Sequence, residues 1–146
     1  MKREVKNKIK LSFISRSENE GLSRIAVSAF LSSAGADAGV IAQLKTAVSE
    51  GVTNAIVHGY RGITGIVTLE CTIYENGLIR TVIRDKGAGI EDIEKAMEPL
   101  YTTAPEEERA GLGFAIMKSF CDRIRVRSVP GKGTTVTLDK YIAENG

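Results

Sequence analysis

The sequence predicts an α+β fold, a two-layer α/β sandwich whose mixed, mostly antiparallel sheet carries its helices on one face. Three observations lead there. Residues 66–74 and 78–84 alternate apolar and polar side chains around Asn76-Gly77, the pattern of a β-hairpin. Residues 17–34, 37–58 and 112–120 repeat apolar positions at helical spacing. A chain of 146 residues is the size of one domain with one core, so the helices must cover the sheet and cannot build a second body.

The elements follow in order. Ile9, Leu11 and Phe13 alternate with Lys10 and Ser12, as in a half-buried strand at a sheet edge, where a second subunit can pair. Ser17 and Glu20 have the spacing of a capping box for a first helix whose apolar positions are Leu22, Ile25, Ala26, Ala29 and Phe30, and Gly35 is its stop. A second helix runs from Asp37 to His58, with Ile41, Leu44, Val48, Val52, Ala55 and Ile56 toward the core. Residues four apart lie one above another, so Glu50, Asn54 and His58 share another face. Residues 61–65 read as a loop before the hairpin, and a short helix spans residues 90–97. Residues 100–110, with three consecutive glutamates and no periodicity, read as a mobile lid. Helical spacing resumes at Leu112, and two strands, 124–129 and 134–138, flank a Pro130-Gly131-Lys132-Gly133 turn.

Composition excludes several classes. Apolar residues at 42% and charged ones at 26% describe a folded globular chain and argue against a disordered or fibrous one. A formal charge of +2 is too small for bulk attraction to nucleic acid, and Arg123, Arg125 and Arg127 alternate with apolar residues as the wet face of a strand does. The two cysteines, Cys71 and Cys121, form neither a CxxC motif nor a disulfide framework and read as reduced, buried thiols. No His and Cys cluster has zinc-site spacing. The charged N-terminus precedes no signal-like or spanning apolar stretch, so a cytoplasmic chain with no membrane or nucleic-acid partner is expected.

Three boxes carry the chemistry: Glu50-Gly51-Val52-Thr53-Asn54 on a helix, Asp85-Lys86-Gly87-Ala88-Gly89 after a strand, and Gly111-Leu112-Gly113 at the start of another helix. Together they suit ATP. Asn54 has a carbonyl oxygen for a hydrated Mg²⁺ on the phosphates, since that ion keeps several waters and needs few protein ligands. Glu50, one turn earlier, is placed to take a proton from an attacking hydroxyl. Asp85 accepts the exocyclic amine of adenine, Gly87 and Gly89 let the backbone approach the base, and Ile90 adds an apolar wall. Gly111 and Gly113 bring backbone N–H groups to phosphate at a helix N-terminus. Thr134 hydrogen-bonds the adenine directly or through water. His58, a full turn beyond Asn54, is read as structural.

These boxes resemble the ATP-binding fold shared by gyrase, Hsp90, the MutL proteins and bacterial histidine kinases. Val48–Tyr60, Pro99-Leu100-Tyr101-Thr102-Thr103 and the Gly133-Thr134-Thr135 ending are more narrowly similar to the small anti-sigma serine kinases of the sporulation F type, and nearly the whole chain aligns in order with them. The resemblance implies one ATP-binding kinase domain over residues 1–146, with a lid at about residues 98–112. It implies ATP or ADP with Mg²⁺ as ligands, and Glu50 as general base. It also implies that Arg109 reaches the γ-phosphate and that Arg24 contacts a sigma factor. The implied function is a homodimeric anti-sigma factor that holds the sporulation sigma F factor away from RNA polymerase core and phosphorylates a serine of an anti-anti-sigma factor. A general-stress-type anti-sigma kinase, or a nucleotide-gated sigma-binding module without phosphoryl transfer, are the alternatives.

Overall fold

The computed structural model describes residues 3–97 and 105–142, and of residues 105–110 the backbone. In chain order the elements are β1 (Val5–Ile14), α1 (Ser17–Ser33), α2 (Ala38–Thr53), β2 (Ile66–Tyr74), β3 (Leu78–Asp85), α3 (Ile93–Met97), α4 (Pro105–Phe120), β4 (Arg123–Val129) and β5 (Gly133–Tyr141). The five strands pair in the order β1-β2-β3-β5-β4. Every pairing among the described residues is antiparallel, so the expected mixed character of the sheet is absent there.

Side chains that alternate along each strand divide the sheet into a dry and a wet face. Val67, Leu69, Cys71, Ile73, Ile79, Ile83, Val136 and Leu138 are buried on the dry face with Leu44, Val48 and Val52 of α2 and with Phe114 and Met117 of α4. The wet face carries Lys8, Lys10, Arg80, Arg84, Arg123, Arg125 and Arg127 against Glu70 and Asp139. Arg80 grips Asp139 with two hydrogen bonds of 2.8 and 2.9 Å. The alternating arginines of β4 therefore mark a basic sheet surface, as their spacing predicts.

Helix α1 corrects two expectations. Its N-cap is Arg16, which makes no side-chain capping bond, and Ser17 Oγ turns to Glu18 at 3.2 Å, so no Ser17/Glu20 capping box forms. Its buried face is Ser23, Val27, Phe30 and Leu31, while Leu22 and Ile25 are 60% and 66% exposed. The two stripes lie side by side on the helix, and packing against α2 selects the one that contains Val27 and Leu31. The stop at Gly35 holds. With φ of +81°, Gly35 donates to Ser32 O at 3.1 Å and Ala36 donates to Leu31 O at 3.1 Å, a Schellman closure.

Asp37 caps α2 by accepting the Val40 N–H at 2.9 Å. The helix does not continue as an α-helix to His58. Residues Asn54–Gly59 widen into a π-helical turn, closed by the Tyr60 N–H on Ala55 O at 3.1 Å. The hairpin turn also differs from a two-residue loop. Glu75, Asn76 and Gly77 form it, with Gly77 left-handed at φ +86° and its N–H on Tyr74 O at 2.9 Å. Further on, α3 starts only after Asp92, which accepts the Lys95 N–H at 3.1 Å, and β5 runs to Tyr141, beyond the expected 138.

The largest departure is at the expected lid. Its first part, residues 98–104, lies outside the described residues, as does the Pro99–Thr103 motif. Residues 105–110 belong to α4, which is continuous to Phe120, so Gly111 and Gly113 lie inside a helix and not at its N-terminus. Packing of α4 on α2 and the sheet continues the helix past the point where the sequence loses its periodicity.

Leu44 is fully buried at the middle of the helix–sheet contact. Leu44→Ala should cost about 2–5 kcal/mol of unfolding free energy, measured by urea denaturation with an unchanged slope.

Candidate functional site

A cleft of about 550 Å³ opens between the end of α2, the loop after β3 and the β4–β5 turn. Asn54, His58, Gly59, Asp85, Gly89, Ile90 and Thr134 all line it, together with Arg61 and Lys95. Residues from the first two boxes thus converge on one cavity, although about thirty residues of sequence separate them.

The floor of the cleft is built by backbone segments in direct contact. The π-helical turn ends with Gly59 against Asp85, where a Cβ on Gly59 would stand 2.9 Å from the carboxyl carbon. Gly59 O accepts the Ala88 N–H at 2.7 Å, and a Cβ on Gly87 would come within 2.2 Å of that same oxygen. Gly89, at φ +74°, packs on Val129 O, which a Cβ would approach to 2.3 Å. The two glycines of the second box are therefore required by protein backbone beneath the cleft. Each of these contacts forbids a side chain whatever the cleft holds.

Asp85 closes β3 with its side chain buried. Its Oδ1 accepts the Gly87 N–H at 2.9 Å, and a bond from the Thr134 backbone also favours the charged form. Burial outweighs both and raises the Asp85 pKa above the ordinary aspartate value. A carboxylate that is short of water and aimed into a cavity is suited to take an N–H donor from a ligand.

Several residues that shape the cleft were not singled out from the sequence. Tyr60 Oη donates to Ile66 O and accepts the Lys86 N–H at 2.8 Å, tying the loop after α2 to the second box. Ser128 Oγ accepts the Ile90 N–H at 2.7 Å, shares a 2.8 Å hydrogen bond with Thr134 Oγ1 and donates to Gly133 O at 3.0 Å. It fastens the apolar wall at Ile90 to the strand that carries Thr134. Arg61 and Lys95 bring positive charge to the cleft, and Arg61 Nε is held on His58 O at 3.1 Å. Only Gly59 and Tyr60 had a signal, their place directly after His58 in the helix box.

At the other end of the site, α4 lies on Glu50 and Asn54. A Cβ at Gly113 would stand 3.1 Å from Glu50 Oε2 and 3.2 Å from both terminal atoms of the Asn54 amide. Gly113 thus meets the first box through its bare backbone, while Leu112 is 48% exposed and Gly111 is buried inside α4. Burial raises the Glu50 pKa above the ordinary glutamate value, and the negative charge of Glu20 adds to it. Asn54 Nδ2 is buried without a hydrogen-bond partner, a state worth correcting by about 1–3 kcal/mol. Among the described residues no group of three or more His, Cys, Asp or Glu side chains is arranged to hold a metal. A single amide at the edge of the cleft is a donor set that fits Mg²⁺ held mainly by phosphate and water.

Arg109 has its backbone in α4, and its side chain lies outside the described residues. Arg24 is on α1, outside the cleft, with its Nε 3.6 Å from Glu20 Oε1. No helix among the described residues is long and apolar enough to cross a membrane.

Residues 15–140 match the family described as the histidine kinase-like ATPase domain. An anti-sigma F factor from Caldanaerobacter subterraneus subsp. tengcongensis is 49% identical over 97% of this chain and 99% of its own length. One from Thermoanaerobacter sp. strain X514 is 50% identical with the same coverage, and one from Geobacillus kaustophilus is 46% identical over 97% of each chain. The fold is similar to a crystal structure of the RsbU and RsbW domains of a Mycobacterium tuberculosis protein, with a TM-score of 0.70 at 21% identity, over 93% of this chain and 32% of that one.

Two outcomes follow from this geometry. Gly87→Ala should weaken nucleotide binding at least ~10-fold by calorimetry, because its methyl group cannot coexist with Gly59 O at the present separation. The raised Glu50 pKa means that the folded state binds more protons than the unfolded one between the ordinary and raised values, so its contribution to stability falls as pH rises through that window. Glu50→Gln should accordingly raise the melting temperature at about pH 8 and leave it unchanged near pH 3, where both states are protonated.

Proposed function

The chain belongs to the histidine kinase-like ATPase family and, within it, to the anti-sigma F factors, and from that premise we propose that it is an ATP-dependent serine kinase and a sigma-binding protein in one domain. In this reading it holds a sigma F-type factor away from RNA polymerase core and phosphorylates a serine of an anti-anti-sigma factor. It works in the cytoplasm as a homodimer, with the open edge of β1 as the pairing edge. The observation that carries the kinase reading is the pairing of a desolvated carboxyl at Glu50 with an unsatisfied buried amide at Asn54, beside a cleft that contains Asp85.

Each residue has a task. Asp85 accepts the exocyclic amine of adenine in the cleft, flanked by Ile90 and supported by Thr134, which Ser128 orients. Asn54 would hold Mg²⁺ through its amide oxygen, and the chemistry so supplied would be neutralisation of phosphate charge. Glu50 takes the proton of the partner's serine hydroxyl as that oxygen bonds to the γ-phosphorus. The bond from phosphorus to the β,γ-bridging oxygen breaks in the same displacement, and phosphoserine and ADP are the products. Arg109 neutralises charge on the transferred group, and Gly113 lets α4 lie against Glu50 and Asn54 without a side chain between them.

The outward face of α1 supports sigma binding. Arg24 stands there beside the exposed Ile25, with Leu22 beyond it, a polar group at the edge of an apolar surface of the kind that marks protein contacts.

Glu50→Gln should reduce transfer from labelled ATP to the anti-anti-sigma protein by ~10²–10⁴-fold while ATP binding persists. Asn54→Ala should remove the magnesium dependence of ATP binding. Absence of phosphoserine with the intact chain, or an Asn54→Ala protein that binds Mg·ATP normally, rejects the kinase reading. Partner exchange that survives Glu50→Gln points instead to a nucleotide-gated module.

A further inference from the structure

Glu20 is absorbed neither by the cleft nor by the cap in which its spacing first placed it. Without a capping box to hold it, its Oε1 accepts a hydrogen bond from Ser49 Oγ on α2 and lies 3.6 Å from Arg24 Nε, one turn along α1. Its side chain is 21% exposed and that of Arg24 is 46% exposed, so the pair spans the boundary between solvent and the α1–α2 contact. Ser49 directly precedes Glu50. The hydrogen bond therefore fastens α1 to the turn of α2 that carries the proposed base.

The arrangement costs the fold something. A second carboxylate is held near one that burial already disfavours, and like charges in partly desolvated surroundings repel. A glutamine at position 20 would keep the hydrogen bond to Ser49 without that repulsion. The structural return on the charge is limited to its half-exposed ion pair with Arg24, whereas a proton acceptor gains strength from a nearby negative group. The other charged groups at this junction are few among the described residues. Arg24 faces Glu20 from α1, Lys45 lies one turn before Ser49 on α2 and lines a surface groove with Arg24, and α4 presents the bare backbone of Gly113.

We propose that Glu20 is a positioning residue for proton transfer at Glu50: it holds the base's turn through Ser49, strengthens the base by its charge, and is moderated by Arg24. The proposal rests on the reading of Glu50 as general base. It also gives the α1 surface a physical route to the reaction. Any anionic group that draws the Arg24 guanidinium away exposes Glu50 to more of the Glu20 charge, and a cation placed beside Glu20 does the reverse.

The test compares wild type, Glu20→Gln, Glu20→Asp and Arg24→Gln by two readouts. The first is the carbon-13 NMR titration of the Glu50 side-chain carboxyl in the nucleotide-free protein, with circular dichroism to confirm folding. The second is the pH profile of phosphoryl transfer. Glu20→Gln should lower the Glu50 titration midpoint and the acid limb of kcat, with the proton dissociation constant changed at least ~3-fold. Arg24→Gln should move both in the opposite direction, Glu20→Asp should retain most of the wild-type position, and KM for ATP should stay constant. A merely structural role would not give opposite shifts from two neighbours on one helix. A folded Glu20→Gln protein with an unmoved Glu50 titration, or shifts of the same sign in Glu20→Gln and Arg24→Gln, overturns the proposal. If wild type transfers no phosphate while the Glu50 titration shifts as expected, the assignment of Glu50 as base fails and the electrostatic coupling between the two carboxyls stands.

Discussion

The close approach of three backbone segments around Asp85 is the constraint on which the cleft depends. The end of the π-helical turn, the loop after β3 and the β4–β5 turn meet where side chains would have to overlap. Gly59, Gly87, Gly89 and Gly133 supply that contact without a Cβ, the last placing its α-carbon where a methyl would come within 2.1 Å of Asp85 O. Asp85 is consequently held by backbone on several sides. Its orientation does not depend on a flexible side-chain partner, and burial makes it seek a donor from a ligand.

The π-helical turn is the local device that makes this possible. The π-helical winding that begins at Asn54 brings Gly59 against Asp85, while Glu50 on the regular helix and Asn54 at the junction lie beneath α4. A helix of one kind throughout would present Glu50, Asn54 and His58 as a single stripe. The change of pitch instead parts Gly59, which meets Asp85, from Glu50 and Asn54, which meet α4, and π-helical turns are frequent at functional sites.

Electrostatics where α4 covers the first box follow from burial. Glu50 and Asn54 are pressed against the backbone of α4 at Gly113, which removes water from both. The removal makes the carboxyl a better proton acceptor and leaves an amide hydrogen without a partner. Helix α4 thus does two things at once, completing the core with Phe114 and Met117 and drying the residues proposed to handle the phosphates. The sheet's other face takes no part in this and carries the basic residues.

Much of this molecule was legible in its sequence, because strand alternation, the start of the second helix at Asp37, the Gly35 stop and the first two boxes are local patterns with local causes. Those patterns determined the order of elements and the hairpin, and they singled out Asn54 and Asp85, which line one cleft, and Glu50, which lies with Asn54 beneath α4. Tertiary structure alone decided which stripe of α1 is buried, since Leu22 and Val27 are equally apolar and only contact with α2 distinguishes them. It alone carried α4 back through residues 105–110, and it alone set Gly87 and Gly89 against Gly59 O and Val129 O. It also sent Glu20 to Ser49 and not to a cap. Each of these is a choice between partners far apart in the chain, and a short-range pattern contains no energy term for a neighbour that only folding brings near.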